Sequence, residues 1–211
     1  MKGIIDTLLN RYKMEELRNR IILTLGLLLV YRLGAQVVLP GIDSIQLSEL
    51  SNRTSGGGLL GVLNAFTGGA FANASIFALG IMPYISASIV VQLMGIGIPY
   101  LQKLQKEGES GRKTINQITR WLTIGICIVQ APAYLFGLSA LGVPDSAFII
   151  GRGPIFMISS VTILVTGCVF AMWLGEKITD KGIGNGISLL IMVGIIAVSY
   201  THLTLPTIYS V

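Results

Sequence analysis

Few residues in this chain are of a type that does chemistry, and their spacing assembles no reactive site. Cys127 and Cys168 both stand inside apolar runs, with no CxxC neighbour and no histidine cluster. They read as small helix- or lipid-facing residues rather than as metal ligands or a disulfide. His202 has no partner in the pattern. Gly108-Glu109-Ser110-Gly111-Arg112-Lys113-Thr114 approaches a phosphate-binding loop, but that loop needs glycine directly before the lysine, and Arg112 stands there. Gly182-Ile183-Gly184-Asn185-Gly186 clusters glycines without the strand that a dinucleotide fold requires, so a tight turn capping the next helix is expected. Asn73-Ala74-Ser75 is formally a glycosylation sequon but abuts an apolar stretch and is discounted. No pair of carboxylates lies inside an apolar run, which argues against a proton relay, an intramembrane protease and catalysis in general. No metal and no cofactor are expected.

The composition explains this scarcity. Of the 211 residues, 52% are hydrophobic and only 12% charged, with a mean hydropathy of +0.74. A soluble domain carries about a quarter charged residues, and disorder needs low hydrophobicity with high charge. The class left is an integral membrane protein, all-α and multi-pass, with room for about five crossings.

The elements follow from the apolar runs. Residues 1–20 place Ile4, Ile5, Leu8, Leu9, Tyr12 and Leu17 at roughly helical spacing among Lys2, Arg11, Lys13 and Arg18. This is the pattern of a basic amphipathic helix on the membrane surface. The run behind it is too long for the core of a signal peptide. The spacing predicts five spans, over about 21–39, 75–97, 121–138, 153–174 and 186–198. Arg32 interrupts the first near its far end. It either snorkels to the interface or pairs inside the bundle, and snorkelling is the expectation. Residues 59–72, broken by Gly61, Gly68 and Gly69, are too few to span as a helix and predict a re-entrant half-helix. Residues 98–120 form the longest polar stretch, and 175–185 a hydrophilic turn. Residues 199–211 are polar and β-branched, contain Pro206, and are expected to end the fifth span near Val198; they read as an atypical, foreign tail.

Charge sets the orientation. With a cytoplasmic N-terminus and a non-crossing 59–72 segment, 12 of the 15 basic residues lie on the cytoplasmic side, leaving Arg53 and Arg152 outside and Arg32 within the first span. If 59–72 crossed fully, the basic residues of 98–120 would move outside.

Three longer motifs carry a resemblance. Ser75-Ile76-Phe77-Ala78-Leu79-Gly80-Ile81-Met82-Pro83-Tyr84-Ile85-Ser86-Ala87-Ser88-Ile89 resembles the second transmembrane segment of the SecY family, the channel subunit of the Sec protein-translocation complex. Lys106-Glu107-Gly108-Glu109-Ser110-Gly111-Arg112, with Ile115-Asn116-Gln117 and Thr119-Arg120, is similar to that family's first large cytoplasmic loop. Trp173-Leu174-Gly175-Glu176-Lys177-Ile178-Thr179 followed by Gly182-Ile183-Gly184-Asn185-Gly186-Ile187-Ser188 resembles the join between its fourth and fifth helices. The motifs stand in family order over about residues 3–198 and correspond to the N-terminal half of a pseudo-symmetric ten-helix channel.

The resemblance implies a conduit that passes unfolded secretory polypeptides and releases hydrophobic segments sideways into the bacterial plasma membrane, with no enzymatic step. It implies a pore ring of Ile81, Ile85 and Ile191. It implies a plug over 59–72, including Leu59, Leu60, Gly61, Val62, Leu63, Asn64, Ala65, Phe66, Gly68 and Gly69. Gln92 and Gln130 are implied at a lateral gate, with ordinary interhelical hydrogen bonding as the other reading of both. The cytoplasmic loop bearing Lys103, Lys106, Arg112 and Lys113 is implied to meet a ribosome or the SecA motor, although positive-inside bias alone also explains its charge. The implied partners are SecE-like and SecG-like small membrane subunits, signal sequences and lipid, with no direct nucleic-acid contact. The competing class is a small-solute secondary transporter, which also breaks helices at the midplane but would place charged or ion-coordinating groups inside its spans.

Overall fold

The computed structural model describes residues 15–43, 64, 66–140 and 153–204, with side chains described for all but 139–140 and 198–204. The described residues are helices and turns, with no strand longer than one isolated bridge.

The first helix, α1, is Glu15–Gly34. Glu15 and Glu16 in its first turn and Arg32 in its last match the helix dipole, and Arg20 pairs with Glu16 one turn away. Thr24 and Tyr31 point inward, while Ile22, Leu25, Leu29 and Leu33 stay exposed. An apolar outer face suits a helix whose solvent is lipid. The helix begins six residues ahead of the expected first span, so residues 15–20 of the expected surface helix are continuous with it.

Residues 67–81 are turns with one bridge residue rather than helix, although a span was expected from Ser75; Asn64 and Phe66 are helical. The cause is the backbone. Gly68, Gly69, Ala74 and Gly80 all adopt positive φ, which an α-helix does not allow. Ser75 forms an antiparallel bridge with Val38, flanked by bonds from the Leu39 amide to the Ala74 carbonyl and from the Ile76 amide to the Val37 carbonyl, each 2.9 Å.

Helix α2, Met82–Gly97, starts only after these turns, with Pro83 in the first turn where a missing N–H costs nothing. Pro99 cannot donate back into α2, and Ile98 is extended. The chain therefore turns by 102° into α3, Pro99–Lys106. Leu101 and Leu104 face inward from α3, and Lys103 and Lys106 outward. Gly108 makes the turn at φ 73°, and α4, Glu109–Ala140, follows. Gly111 of α4 lies against the Leu104 backbone carbonyl, so close that a β-carbon there would overlap it. The stretch expected to be a polar loop, 98–120, is thus helical apart from the elbow at Ile98 and the corner at 107–108. Its Lys, Gln and Leu residues are good helix formers, and Gly108 breaks the run at the corner.

Helix α5, Pro154–Lys181, continues seven residues past the expected end of the fourth span. The hydrophilic turn shrinks to 182–185, where Asn185 Oδ1 accepts from the amides of Ile187 and Ser188 and caps α6, Gly186–Thr204. Helix α6 runs six residues beyond Val198. Among the described residues, Glu109–Leu138 and Pro154–Lys181 are long and apolar enough to cross a membrane, and the bent α2–α3 pair makes a third if counted as one span.

Two apolar clusters hold these elements together. One joins Leu39 and Ala78 to Ala131, Leu135, Phe156 and Leu164. The other joins Tyr31, Phe77 and Ile81 to Leu174, Ile178 and Leu190.

Candidate pore and plug region

The 66–81 segment touches four of the six helices given above among the described residues, and each contact has a physical cause. Asn64 and Thr67 tie its beginning into a knot. The Asn64 carbonyl accepts from the Gly69 amide at 2.9 Å and from the Thr67 hydroxyl at 3.1 Å. Asn64 Oδ1 accepts from the Ala72 amide at 3.0 Å, and Thr67 Oγ1 from the Phe71 amide at 3.1 Å. Backbone that leaves the helical ladder inside a membrane protein must find such partners.

Arg32 supplies the contact to α1. Its guanidinium donates from Nη1 to the Gly68 carbonyl at 2.7 Å. The expectation that Arg32 snorkels to the interface is therefore corrected: the charge is directed into the bundle, where a carbonyl in an irregular turn needs a donor. Gly68 in turn abuts α6. A β-carbon on Gly68 would stand 3.0 Å from the Gly194 Cα, and one on Gly194 would stand 2.9 Å from the Phe66 carbonyl. On the α4 side, the Tyr134 hydroxyl donates to the Phe71 carbonyl at 2.7 Å, and the two rings meet edge to face at 5.0 Å. On the α5 side, Gly167 lies directly under the Ile76 carbonyl. Phe77 stacks between Tyr31 and Phe170, with ring centroids at 5.4 Å and 6.1 Å.

The isoleucines expected in a pore ring sit beside this segment. Ile81 is 5% exposed, caps the start of α2, and its carbonyl accepts from the Ile85 amide. Ile81 belongs to the cluster that Leu190 joins, and Ile85 packs on that cluster. Ile191, the next residue on α6, lines an open apolar cleft of about 350 Å³ with Ser188, Met192, Ile195 and Ile196.

Of the expected plug, Asn64, Phe66, Gly68 and Gly69 are placed as above. Leu59, Leu60, Gly61, Val62, Leu63 and Ala65 lie outside the described residues. Gln92 is exposed and donates to Ser88 Oγ of its own helix at 3.2 Å. Gln130 is exposed on α4. Lys103, Lys106, Arg112 and Lys113 are all exposed around the α3–α4 corner. At the same end of α4, Arg120 grips Glu176 of α5 with both arms of its guanidinium, Nε to Oε1 at 2.8 Å and Nη2 to Oε2 at 2.6 Å. The Ile183 amide donates to Thr24 Oγ1, fastening the 182–185 turn to α1. Among the described residues, no group of three or more His, Cys, Asp or Glu side chains could hold a metal.

Sequence reasoning did not single out Thr67, Tyr134 or Gly194. Their partners are main-chain atoms, which leave no trace in residue type.

Helices with exposed apolar faces, bundled around an irregular segment whose polar backbone is satisfied inside the protein, define an all-α membrane protein. The SecY family model matches residues 75–209, and the chain belongs to that family. That match includes residues 199–209, which composition sets apart. The chain is 46% identical over 183 residues to protein translocase subunit SecY of Escherichia coli K12, covering 86% of this chain and 41% of that protein. It is 43% identical to the subunit of the same name from Rickettsia typhi, covering 87% of this chain and 42% of that protein. The chain thus spans about two-fifths of the length of the curated relatives it matches. Among solved structures, it is similar to Sec61 in the canine ribosome-channel complex from the endoplasmic reticulum, at a TM-score of 0.56 and 20% identity over 86% of this chain and 37% of that one. It is similar to the structure of a protein conducting channel at a TM-score of 0.55 and 21% identity, with the same coverage of both. These likenesses carry the fold.

Proposed function

We propose that this chain forms the N-terminal half of a Sec-type protein-conducting channel, without enzymatic activity of its own. Five spans, built on α1, α2, α4, α5 and α6, cross the bacterial plasma membrane from a cytoplasmic N-terminus. A second half completes the pore, SecE-like and SecG-like subunits surround it, and a ribosome or the SecA motor drives unfolded polypeptides and their signal sequences into it from the cytoplasm. In this reading Ile81, Ile85 and Ile191 form the collar, 59–72 is the plug, and Gln92 and Gln130 flank the lateral gate through which apolar segments pass into lipid.

The observation that carries the reading is where the 66–69 segment docks. It rests on Gly194 of α6, one helical turn from Ile191 on the same face. Its Thr67 packs within reach of Gly80, the residue before Ile81. A small, glycine-bearing element packed beside the residues that neighbour Ile81 and Ile191 supports a stopper. A collar of such side chains offers no ligand to an ion and dewets, yet closes on any polypeptide, because apolar contact is not sequence-selective.

Ile85→Gly in the complete channel tests this. A wider apolar collar raises ion conductance across planar bilayers at least severalfold. Unchanged conductance overturns the assignment of Ile85 to the collar.

A further inference from the structure

Helices α4 and α5 approach each other along small side chains. Thr123, Cys127 and Ala131 are spaced four apart on one face of α4, and all three are fully buried. Cys168 and Ala171 lie buried on the facing side of α5, beside Leu164. Small residues let helices come close, and here they bring the two free sulfurs to 3.0 Å. That is inside ordinary sulfur–sulfur contact and about 1 Å from the bonded distance of roughly 2.05 Å.

We infer that Cys127 and Cys168 are an oxidisable dithiol, which closes into an intramembrane disulfide stapling α4 to α5. The pairing is not a metal site: a two-coordinate soft cation between thiolates would hold the sulfurs farther apart than they stand, and among the described residues no histidine or carboxylate cluster accompanies them. The oxidant must be an apolar two-electron acceptor, because both residues are at most 2% exposed and sit within apolar helices that charged thiol reagents do not enter. With a diazene, the balance is complete. One thiol adds across the N=N bond, forming an S–N bond and placing its proton on the other nitrogen. The second sulfur attacks the first, forming the S–S bond and breaking S–N, and its proton completes the departing hydrazine. The inference stands on this contact alone and is independent of the proposed channel function.

The test uses membranes containing the full-length protein, treated with a membrane-permeant diazenedicarboxamide, then denatured, alkylated and digested with trypsin. Cleavage after Arg120, Arg152 and Lys177 puts Cys127 in peptide 121–152 and Cys168 in peptide 153–177. The expected result is a linked pair, lighter than the sum of the two peptides by two hydrogens, separated by reductant and absent from Cys127→Ser and Cys168→Ser. Recovery of both peptides unlinked with alkylated thiols, at oxidant excess, overturns the inference. Linkage of either cysteine to a different chain overturns it as well.

Discussion

The guanidinium of Arg32 and the carbonyl of Gly68 stand 2.7 Å apart, joining the far end of α1 to the turn that docks on α6. The bond resolves two difficulties at once. A cation in an apolar helix gains an acceptor, and a carbonyl that the irregular turn leaves outside any ladder gains a donor.

Loss of that bond frees the turn. A charge-assisted hydrogen bond contributes about 1.5–3 kcal/mol, so Arg32→Leu shifts the docked turn toward open states by roughly tenfold or more. The readout is the alkylation rate of a cysteine placed at Phe66, which is already partly exposed. Arg32→Lys retains a donor and gives a smaller rise. Equal rates in all three proteins would show that the bond holds nothing.

Glycine substitutions divide by what a β-carbon would meet. At Gly167 it would run into the Ile76 backbone carbonyl, and at Gly194 it would stand 2.9 Å from the Phe66 carbonyl. Neither neighbour is a flexible side-chain end, so each Gly→Ala change destabilises by about 1–3 kcal/mol. Gly26 and Gly125 have nothing within 4 Å, and Ala there is neutral or slightly stabilising because helix propensity improves. Thermal melting in detergent separates the two pairs.

Tyr134→Phe removes the donor to the Phe71 carbonyl while keeping the ring contact. Tyr134 is buried at 7% exposure, so the orphaned carbonyl finds no water to replace it, and the protein loses about 1 kcal/mol. A melting temperature equal to that of the parent would show that the ring contact alone suffices.

The Arg120–Glu176 pair contributes less than its two short bonds suggest. The Arg120 side chain is 44% exposed, and pairs that meet water give about 1 kcal/mol or less. A double-mutant cycle with Arg120→Ala and Glu176→Ala yields a coupling of that size, shrinking as salt rises. Arg120→Lys loses the two-armed grip and recovers under half of it.

Much of this molecule was legible in residue type. Apolar runs located the cores of α4 and α5, and the glycines at 182, 184 and 186 marked the turn before α6, whereas the span expected from Ser75 begins as a helix only at Met82. What escaped was set by geometry between main-chain atoms. Nothing about alanine announces the positive φ of Ala74, yet that φ helps keep Ser75 out of the helix that its apolar neighbours favour. Arg32 was visible as an oddity, but its acceptor is a carbonyl that any residue would carry. The polar stretch 98–120 read as a loop because hydrophilic composition was weighed over propensity; its surface-facing lysines and inward Leu101 and Leu104 are an amphipathic helix too short to stand out. Cys127 and Cys168 were read as small helix- or lipid-facing residues; both are buried between helices, and their sequence separation hid that they face one another.

The 102° elbow at Ile98 gives the molecule a crank. Helix α2 is the shaft and α3 the throw, an arm of about 12 Å at 1.5 Å per residue. Turning the shaft by about 10° about its own axis sweeps the tip of that arm through roughly 2 Å, and the converse holds for a push on the arm. Lys103 and Lys106 stand on the throw, and Ile85 stands on the shaft at its far end. The basic corner and Ile85 thus stand at opposite ends of one bent lever, whose arm is seated on α4 through Leu101 and Leu104.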